Sequence, residues 1–302
     1  MKEGIYFAIG FLLTVLVIPI VKRISFEAGY LDRPGDNPLK AHSLPIPHSG
    51  GIAFLGIFSL LVLIVFLTDD IADKSKLFGL MMGGIIVSIF GILDDLKQVY
   101  ATTRLGSEVL AGMILLFFGQ GIAAPFGFGI LLTLFYVVGA VNAINMEDGL
   151  DGLAGGMVII SFLGFAFLAF KAGGSAELLI SSVMIGVLIG FLFYNFTPSS
   201  IFMGDGGSYF LGFILAYLAI SFTSLDSWTK FLGPILIIGG PVFDTAYAIL
   251  RRLKNGAPLF TGDRNHFYDQ LMRKGFTIRQ TVLICWAIQL IFVSLGVLIY
   301  VF

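Results

Sequence analysis

Apolar runs long enough to cross a lipid bilayer recur along almost the whole sequence, and they constrain its fold more than any other feature. A hydrocarbon core about 30 Å thick takes roughly 20 apolar residues as a helix. Ten runs meet or approach that length: 4–22, 50–68, 77–94, 105–120, 127–143, 154–171, 177–195, 207–224, 231–251 and 281–301. Lipid cannot satisfy backbone N–H and C=O groups, so such runs fold as helices. The composition agrees: 57% hydrophobic and 12% charged residues, with a mean hydropathy of +0.97, where soluble domains carry roughly 25% charge. The expected fold is all-α, a multi-pass protein of the cell membrane with about ten helices in one domain, 1–302. The fourth and fifth runs are short and flank the glycine-rich, proline-containing stretch 119–129. The first run precedes Lys22-Arg23 and no small-residue cleavage site, so it reads as a retained span rather than a signal peptide. Cys285 lies in an apolar run with no second cysteine to pair with, and reads as a small buried hydrophobe. A net charge of −1 gives no footing for a nucleic-acid partner.

Lys and Arg residues accumulate in the cytoplasmic loops of membrane proteins. Ten spans sort the loops into two sets. Five of the 18 Lys and Arg residues (Lys2, Lys74, Lys76, Lys171 and Lys230) fall in one set, and the rest fall in the other. The basic set is therefore expected to be cytoplasmic, with both termini outside. Every unusual polar segment belongs to that same basic set. A site handling a soluble cytoplasmic substrate explains such one-sidedness; a purely structural membrane protein has no need of it.

The most polar of these segments is Asn142-Ala-Ile-Asn-Met-Glu-Asp-Gly-Leu-Asp-Gly-Leu-Ala-Gly-Gly156. Asp148 and Asp151 share one face if a helix begins there, so helix capping competes with a ligand role. Gly149, Gly152, Gly155 and Gly156 weaken a helix and make sense where a ligand or another backbone approaches closely. Asn142 and Asn145 add neutral donors and acceptors. Asp94-Asp95 falls at a helix C-terminus, where acids are disfavoured by about 0.3–1 kcal/mol each. A pair of like charges there suggests a handled cation or proton, against the plainer reading of a solvated helix end paired with Lys97. In Gly204-Asp205-Gly-Gly-Ser208, Asp205 is either an N-cap or a carboxylate inside a phosphate seat made by helix N-terminal N–H groups. The second case calls for a bridging divalent metal, since Mg²⁺ binds one or two carboxylates plus phosphate oxygens. Phe202 is apolar filler or a face for a nucleobase. Asp244 falls inside the ninth span, where an acid is a functional suspect unless it merely partners a nearby Arg or Asn. The three histidines, His42, His48 and His266, all lie in the basic loops. With Arg264, His266 offers an anion clamp suited to a phosphorylated substrate.

Asp94-Asp95-Leu-Lys97, the Asn142–Gly156 stretch, Phe202-Met-Gly-Asp205-Gly-Gly-Ser208 and Asp263-Arg264-Asn-His266 occur in the order characteristic of the polyprenyl-phosphate N-acetylhexosamine-1-phosphate transferases. Asp32-Arg-Pro, Lys40-Ala-His42 and Pro47-His-Ser-Gly50-Gly51 extend the match. The resemblance covers about residues 30 to 275, and the ordered set is far more specific than any one motif. It implies that a polyprenyl phosphate, such as undecaprenyl phosphate, attacks the β-phosphorus of a UDP-N-acetylhexosamine. The products are a lipid-pyrophosphoryl sugar and UMP, with Mg²⁺ (or Mn²⁺) as cofactor, in a multi-pass protein of the lipid bilayer; a homodimer is left open. Carried over residue by residue, Asp94, Asp95, Asp148 and His266 are the expected catalytic residues, and Asp205 with Asp148 the metal ligands. Lys40, His42, Asn142, Asn145, Asp151, Asn195, Phe202 and Arg264 are the expected substrate contacts.

The muramyl-pentapeptide branch of that family carries three consecutive histidines in the last loop. Here His266 is followed by Phe267, Tyr268 and Asp269, and the first loop reads Ile46-Pro47-His48. Both departures favour the branch using UDP-N-acetylglucosamine or a related donor, which starts envelope glycans, although a second histidine is usual there too. A cation-coupled transporter using Asp94, Asp95 and Asp244 is the rival of a different class. Such sites lie near the midplane, often between internal repeats, and no repeat is visible in this sequence.

Overall fold

The structure is a computed structural model and describes residues 2–34, 44–68, 73–256 and 265–302. Lys40, His42 and Arg264, all expected substrate contacts, lie outside the described residues. Among the described residues the α-helices are α1 (Lys2–Ala28), α2 (Gly50–Thr68), α3 (Lys74–Lys97), α4 (Ala101–Phe117), α5 (Phe128–Glu147), α6 (Leu153–Ala172), α7 (Ser175–Asn195), α8 (Gly204–Phe222), α9 (Trp228–Ile237), α10 (Gly239–Lys254), α11 (Phe267–Arg273) and α12 (Ile278–Val301). A two-stranded antiparallel ladder, β1 (Leu31–Asp32) with β2 (Ile46–Pro47), joins α1 to α2. Among the described residues eight helices are long and apolar enough to cross a membrane, or nine spans if the bent pair α9 and α10 counts as one. The fourth expected span, α4, is only 17 residues long.

Helix α8 is the axis of the bundle. It is apolar all round, and 17 of its residues are buried, from Gly204 to Phe222. A helix without a polar face needs neighbours on every side, and α2, α3, α5, α6 and α9 supply them. Two crossings are close enough to require glycine. A Cβ at Gly51 would lie 2.2 Å from the backbone N of Gly207, and one at Gly91 2.5 Å from the carbonyl O of Asp205. These contacts bring the ends of α2 and α3 onto the first turn of α8. The outer helices are apolar toward their surroundings: α1 packs on α7 and exposes Ile5, Leu12, Leu16, Ile20 and Ile24, as lipid-facing residues should.

The ninth expected span, 231–251, is not continuous. The chain runs as α9, then turns by 86° into α10. Pro234 lies in α9, and Gly239-Gly240-Pro241 opens α10; proline removes a helix N–H donor and glycine weakens the turn around it. A break inside an apolar run must still satisfy its freed backbone groups. Gln289 of α12, fully buried, does so. Its Oε1 accepts the Gly240 N–H at 2.9 Å, and its Nε2 donates to the Ile237 carbonyl at 2.9 Å and to Ser161 Oγ at 2.8 Å. Helix α10 is amphipathic, exposes Phe243, Tyr247 and Leu250, and ends on Arg251, Arg252 and Lys254.

Candidate active site

The C-terminal end of α3, the turn between α5 and α6 and the first turn of α8 meet at one end of the bundle. Asp94 and Asp95 sit in the last turn of α3, which ends in a left-handed Gln98 (φ 49°). The sequence pattern makes these acids unfavourable against the helix dipole, and the structure shows what offsets them. Asp95 Oδ1 accepts the Asp205 backbone N–H at 3.0 Å, with Gly206 N at 3.5 Å from Oδ2. Helix α8 has no side-chain cap of its own; Asp95 provides one from across the bundle. Tyr30 Oη donates to Asp95 Oδ2 at 2.8 Å, and His48 Nδ1 lies 3.3 Å from Oδ1. Asp94 accepts from Tyr209 Oη at 3.0 Å and Val99 N at 2.9 Å, and pairs with Arg104 at 3.1 Å.

His48 stands between two carboxylates, with Nε2 3.4 Å from Asp32 Oδ2 and Nδ1 on Asp95. The β1–β2 ladder sets this placement, since it lays Asp32 beside Ile46. Burial pushes the imidazolium toward deprotonation, but hydrogen bonds to Asp32 and Asp95 and their charges outweigh it and lift the pKa to about 9. Tyr30 is shifted further, above the usual tyrosine range, by burial and by the Asp95 charge.

Asp205 is held by Asn145, whose Nδ2 donates to Oδ1 at 2.7 Å and to Ser208 Oγ at 3.0 Å. Asp148 caps the C-terminal end of α5. Among the described residues no hydrogen-bond donor reaches its carboxylate. Burial, followed by the charge of Asp205 and more weakly of Asp95 and Asp151, raises it well above the ordinary carboxyl range, with His48 working the other way. Asp151 is fully engaged: Ser199 N and Oγ donate to its two oxygens at 2.9 and 2.8 Å.

The structure assigns some expected contacts elsewhere. Asn195 is 2% exposed; its Oδ1 accepts Gly152 N at 3.1 Å and its Nδ2 donates to Ile201 O at 2.9 Å. It ties two loops together. Asn142 Nδ2 donates to Glu108 Oε2 at 2.8 Å and to Val138 O at 2.9 Å. Phe202 meets His48 edge-on, with ring centroids 5.9 Å apart. The N–H groups of Asp205 and Gly206, read from sequence as a phosphate seat, face Asp95 instead.

The glycines of the α5–α6 stretch are likewise corrected: they make room for protein, not for phosphates. Gly152 has φ +77°, which disfavours any side chain. A Cβ at Gly149 would lie 2.1 Å from Tyr268 Oη, and one at Gly156 1.9 Å from the Trp286 ring. Sequence reading singled out the acids and noted His48, but passed over Tyr30, Arg104 and Tyr209, which also hold them. Only His48 carried a signal, as one of three histidines in the basic loops.

The described residues contain no group of three His, Cys, Asp or Glu side chains placed to hold a metal by themselves. The donor set nevertheless fits Mg²⁺, which typically takes one or two carboxylates and completes its shell with water and substrate oxygens. Asp205 and Asp148 are hard oxygen donors, and among the described residues no hydrogen-bond donor reaches the Asp148 carboxylate.

Fold and site together define a multi-pass α-helical membrane protein with an acid-lined polar site at one end of its bundle. The chain belongs to glycosyl transferase family 4, whose family model matches residues 77–223. It is 37% identical over 296 residues to the "Probable undecaprenyl-phosphate N-acetylglucosaminyl 1-phosphate transferase" of Bacillus subtilis, covering 93% of this chain and 80% of the relative. It is 29% identical to the undecaprenyl-phosphate α-N-acetylglucosaminyl 1-phosphate transferases of Escherichia coli K12, over 95% of this chain and 81% of the relative, and Yersinia pestis, over 95% and 82%.

Proposed function

We propose that this protein transfers N-acetylglucosamine 1-phosphate from UDP-N-acetylglucosamine to undecaprenyl phosphate, releasing UMP, with Mg²⁺ as cofactor and the site on the cytoplasmic face. An oxygen of the lipid phosphate forms a new bond to the β-phosphorus of the donor. The bond from that phosphorus to the bridging oxygen breaks, and UMP leaves with the oxygen. The 37% identity to the Bacillus subtilis relative, spread over nearly the whole chain, carries the reaction. The Lys and Arg bias of the loops carries the sidedness.

Attack of one phosphate on another brings like charges together, so catalysis here is positioning and charge compensation. Asp205 and Asp148 would hold Mg²⁺, which when bound offsets charge on the donor's phosphate oxygens. Asn145 orients Asp205. Asp94 and Asp95, each gripped by several donors, fix the α3–α8 junction. That engagement supports a positioning role for both over proton abstraction. A strong base is also dispensable, because phosphate monoesters have a second pKa near 6. Asp94, Asp95, Asp148 and Asp205 lie at helix ends rather than mid-span, which speaks against a transporter.

The test is UMP release by purified protein given undecaprenyl phosphate, Mg²⁺ and a panel of UDP-sugars. UDP-N-acetylglucosamine should be the best donor. No UMP from any UDP-N-acetylhexosamine, with lipid acceptor present, overturns the reading.

A further inference from the structure

Asp244 is not assigned a role by the reaction above, and its surroundings give it one. It sits in α10 just past the 86° break, so the turn carries it out of the line of α9. Its Oδ2 lies 2.5 Å from His266 Nδ1, and its Oδ1 accepts the Phe267 backbone N–H at 2.9 Å. Both side chains are nearly buried, at 9% and 6% exposed. Asp244 also borders a cavity of about 360 Å³ lined by Phe243, Phe267, Phe292 and the acid Glu147. Among the described residues only His266 and the Phe267 N–H compensate its charge.

The ring of His266 is held on a second side. It stacks on Tyr268 with centroids 5.6 Å apart and planes 7° from parallel. Tyr268 Oη in turn donates to Met146 O at 3.3 Å and lies against Gly149, beside Asp148. The backbone N–H of His266 donates to Asp269 Oδ2 at 3.1 Å. The ring is thus fixed in position and orientation: Nδ1 lies against Asp244, one ring face is stacked on Tyr268, and the side chain also faces the Asp269 backbone N–H in a capping box at the start of α11.

We propose that Asp244 is a positioning residue for transfer: it holds His266 with the proton on Nδ1 and leaves Nε2, an acceptor in that tautomer, to take the proton from a substrate phosphate oxygen that still carries one. The inference rests on the proposed reaction for its catalytic consequence, but not for the geometry. A carboxylate on one ring nitrogen sets the tautomer and the direction of the other. The broken span then has a purpose, since a straight ninth helix would leave Asp244 in line with α9 and away from the loop that carries His266.

The test uses full-length protein in detergent with ¹⁵N-labelled histidine. The chain has only three histidines, so His266→Ala identifies the His266 signals by subtraction. Wild type should show protonated Nδ1, and Asp244→Ala should move the proton to Nε2. In UMP release, removing such an outer partner should lower kcat about 10–100-fold, with little change in KM for the donor. Asp244→Glu should restore part of the loss. In a His266→Ala background Asp244→Ala should add almost nothing, whereas a purely structural acid would cost the same in both. Where Asp244→Ala fails to fold, Asp244→Asn, uncharged but still able to accept from Phe267, reports the same quantities. Unchanged His266 signals, or equal losses in both backgrounds, overturn the inference. Absence of UMP release by wild type would instead overturn the reaction, and the resonances would still decide the pairing.

Discussion

The Asp95 carboxylate accepts the backbone N–H of Asp205 at 3.0 Å. One acid of the site therefore fixes the helix turn that presents another. The arrangement joins two otherwise unfavourable features, a carboxylate at the negative end of α3 and an uncapped N-terminus on α8. Each removes the other's cost, and the join holds Asp205 near enough for its charge to act on Asp148.

Asp95→Ala should therefore weaken the protein as well as the reaction. Loss of an N-terminal cap costs about 0.5–2 kcal/mol, and here His48 and Tyr30 also lose a partner. Asp95→Asn keeps an oxygen for the Asp205 N–H and should cost less stability, while both lower UMP release. Thermal unfolding in detergent separates the two; wild-type stability for Asp95→Ala would rule out the capping role.

His48 gives the site a pH dependence. Its folded pKa of about 9 lies above the ordinary 6.5, so the folded chain binds its proton more tightly than the unfolded one. The stabilisation is complete below 6.5, declines as pH rises from there, and is gone above about 9. The stability gap between wild type and His48→Gln should be widest near pH 6 and close by about pH 9.5. Chemical unfolding of both proteins across that range measures it, and a gap that widens with pH would contradict the Asp32–His48–Asp95 arrangement.

Most spans could be read from the sequence because an apolar run of sufficient length is a local signal. The break in the ninth was not, although Pro234 and Gly239-Gly240-Pro241 mark it, because proline and glycine are tolerated within spans when a neighbour satisfies the backbone. That neighbour, Gln289, lies about fifty residues further on. The acids of the site were legible as motifs. Their partners were not, since Tyr30, Arg104 and Tyr209 reach them only through helix packing. The glycines misled for a related reason: a missing side chain looks the same whether a phosphate or an aromatic ring fills the space.

Gly156 tests that last point. An added Cβ would lie 1.9 Å from the Trp286 ring, and overpacking a tight site typically costs about 1–3 kcal/mol. Gly156→Ala should be destabilised by that order, and combining it with Trp286→Leu should recover part of the loss. Equal, additive losses in a double-mutant cycle would show that the two positions are independent.

Gln289→Leu should be among the most destabilising polar-to-apolar changes in the protein. It strands the Gly240 N–H and the Ile237 carbonyl inside an apolar bundle, and each buried group without a partner costs about 1–3 kcal/mol. Because the break orients α10, UMP release should fall as well. A Gln289→Leu protein with wild-type unfolding temperature would mean that the break is held by something else.

Asp148 separates metal binding from folding. With no donor among the described residues, and with the charges of Asp205, Asp95 and Asp151 acting on it, its charge is a liability to the metal-free protein. Asp148→Asn removes that liability, so it should leave metal-free stability unchanged or raised while removing most activity, a trade-off expected where function requires an unfavourable charge. A bound ligand stabilises the folded state in proportion to the logarithm of its saturation, about 2.7 kcal/mol at a hundred times Kd. Wild type should thus gain thermal stability from Mg²⁺, lose UMP release to a chelator and regain it when Mg²⁺ is restored. Asp148→Asn and Asp205→Asn should each gain far less stability from the ion. If both variants are stabilised by Mg²⁺ as strongly as wild type, these carboxylates do not hold it, and the ion must sit on other groups.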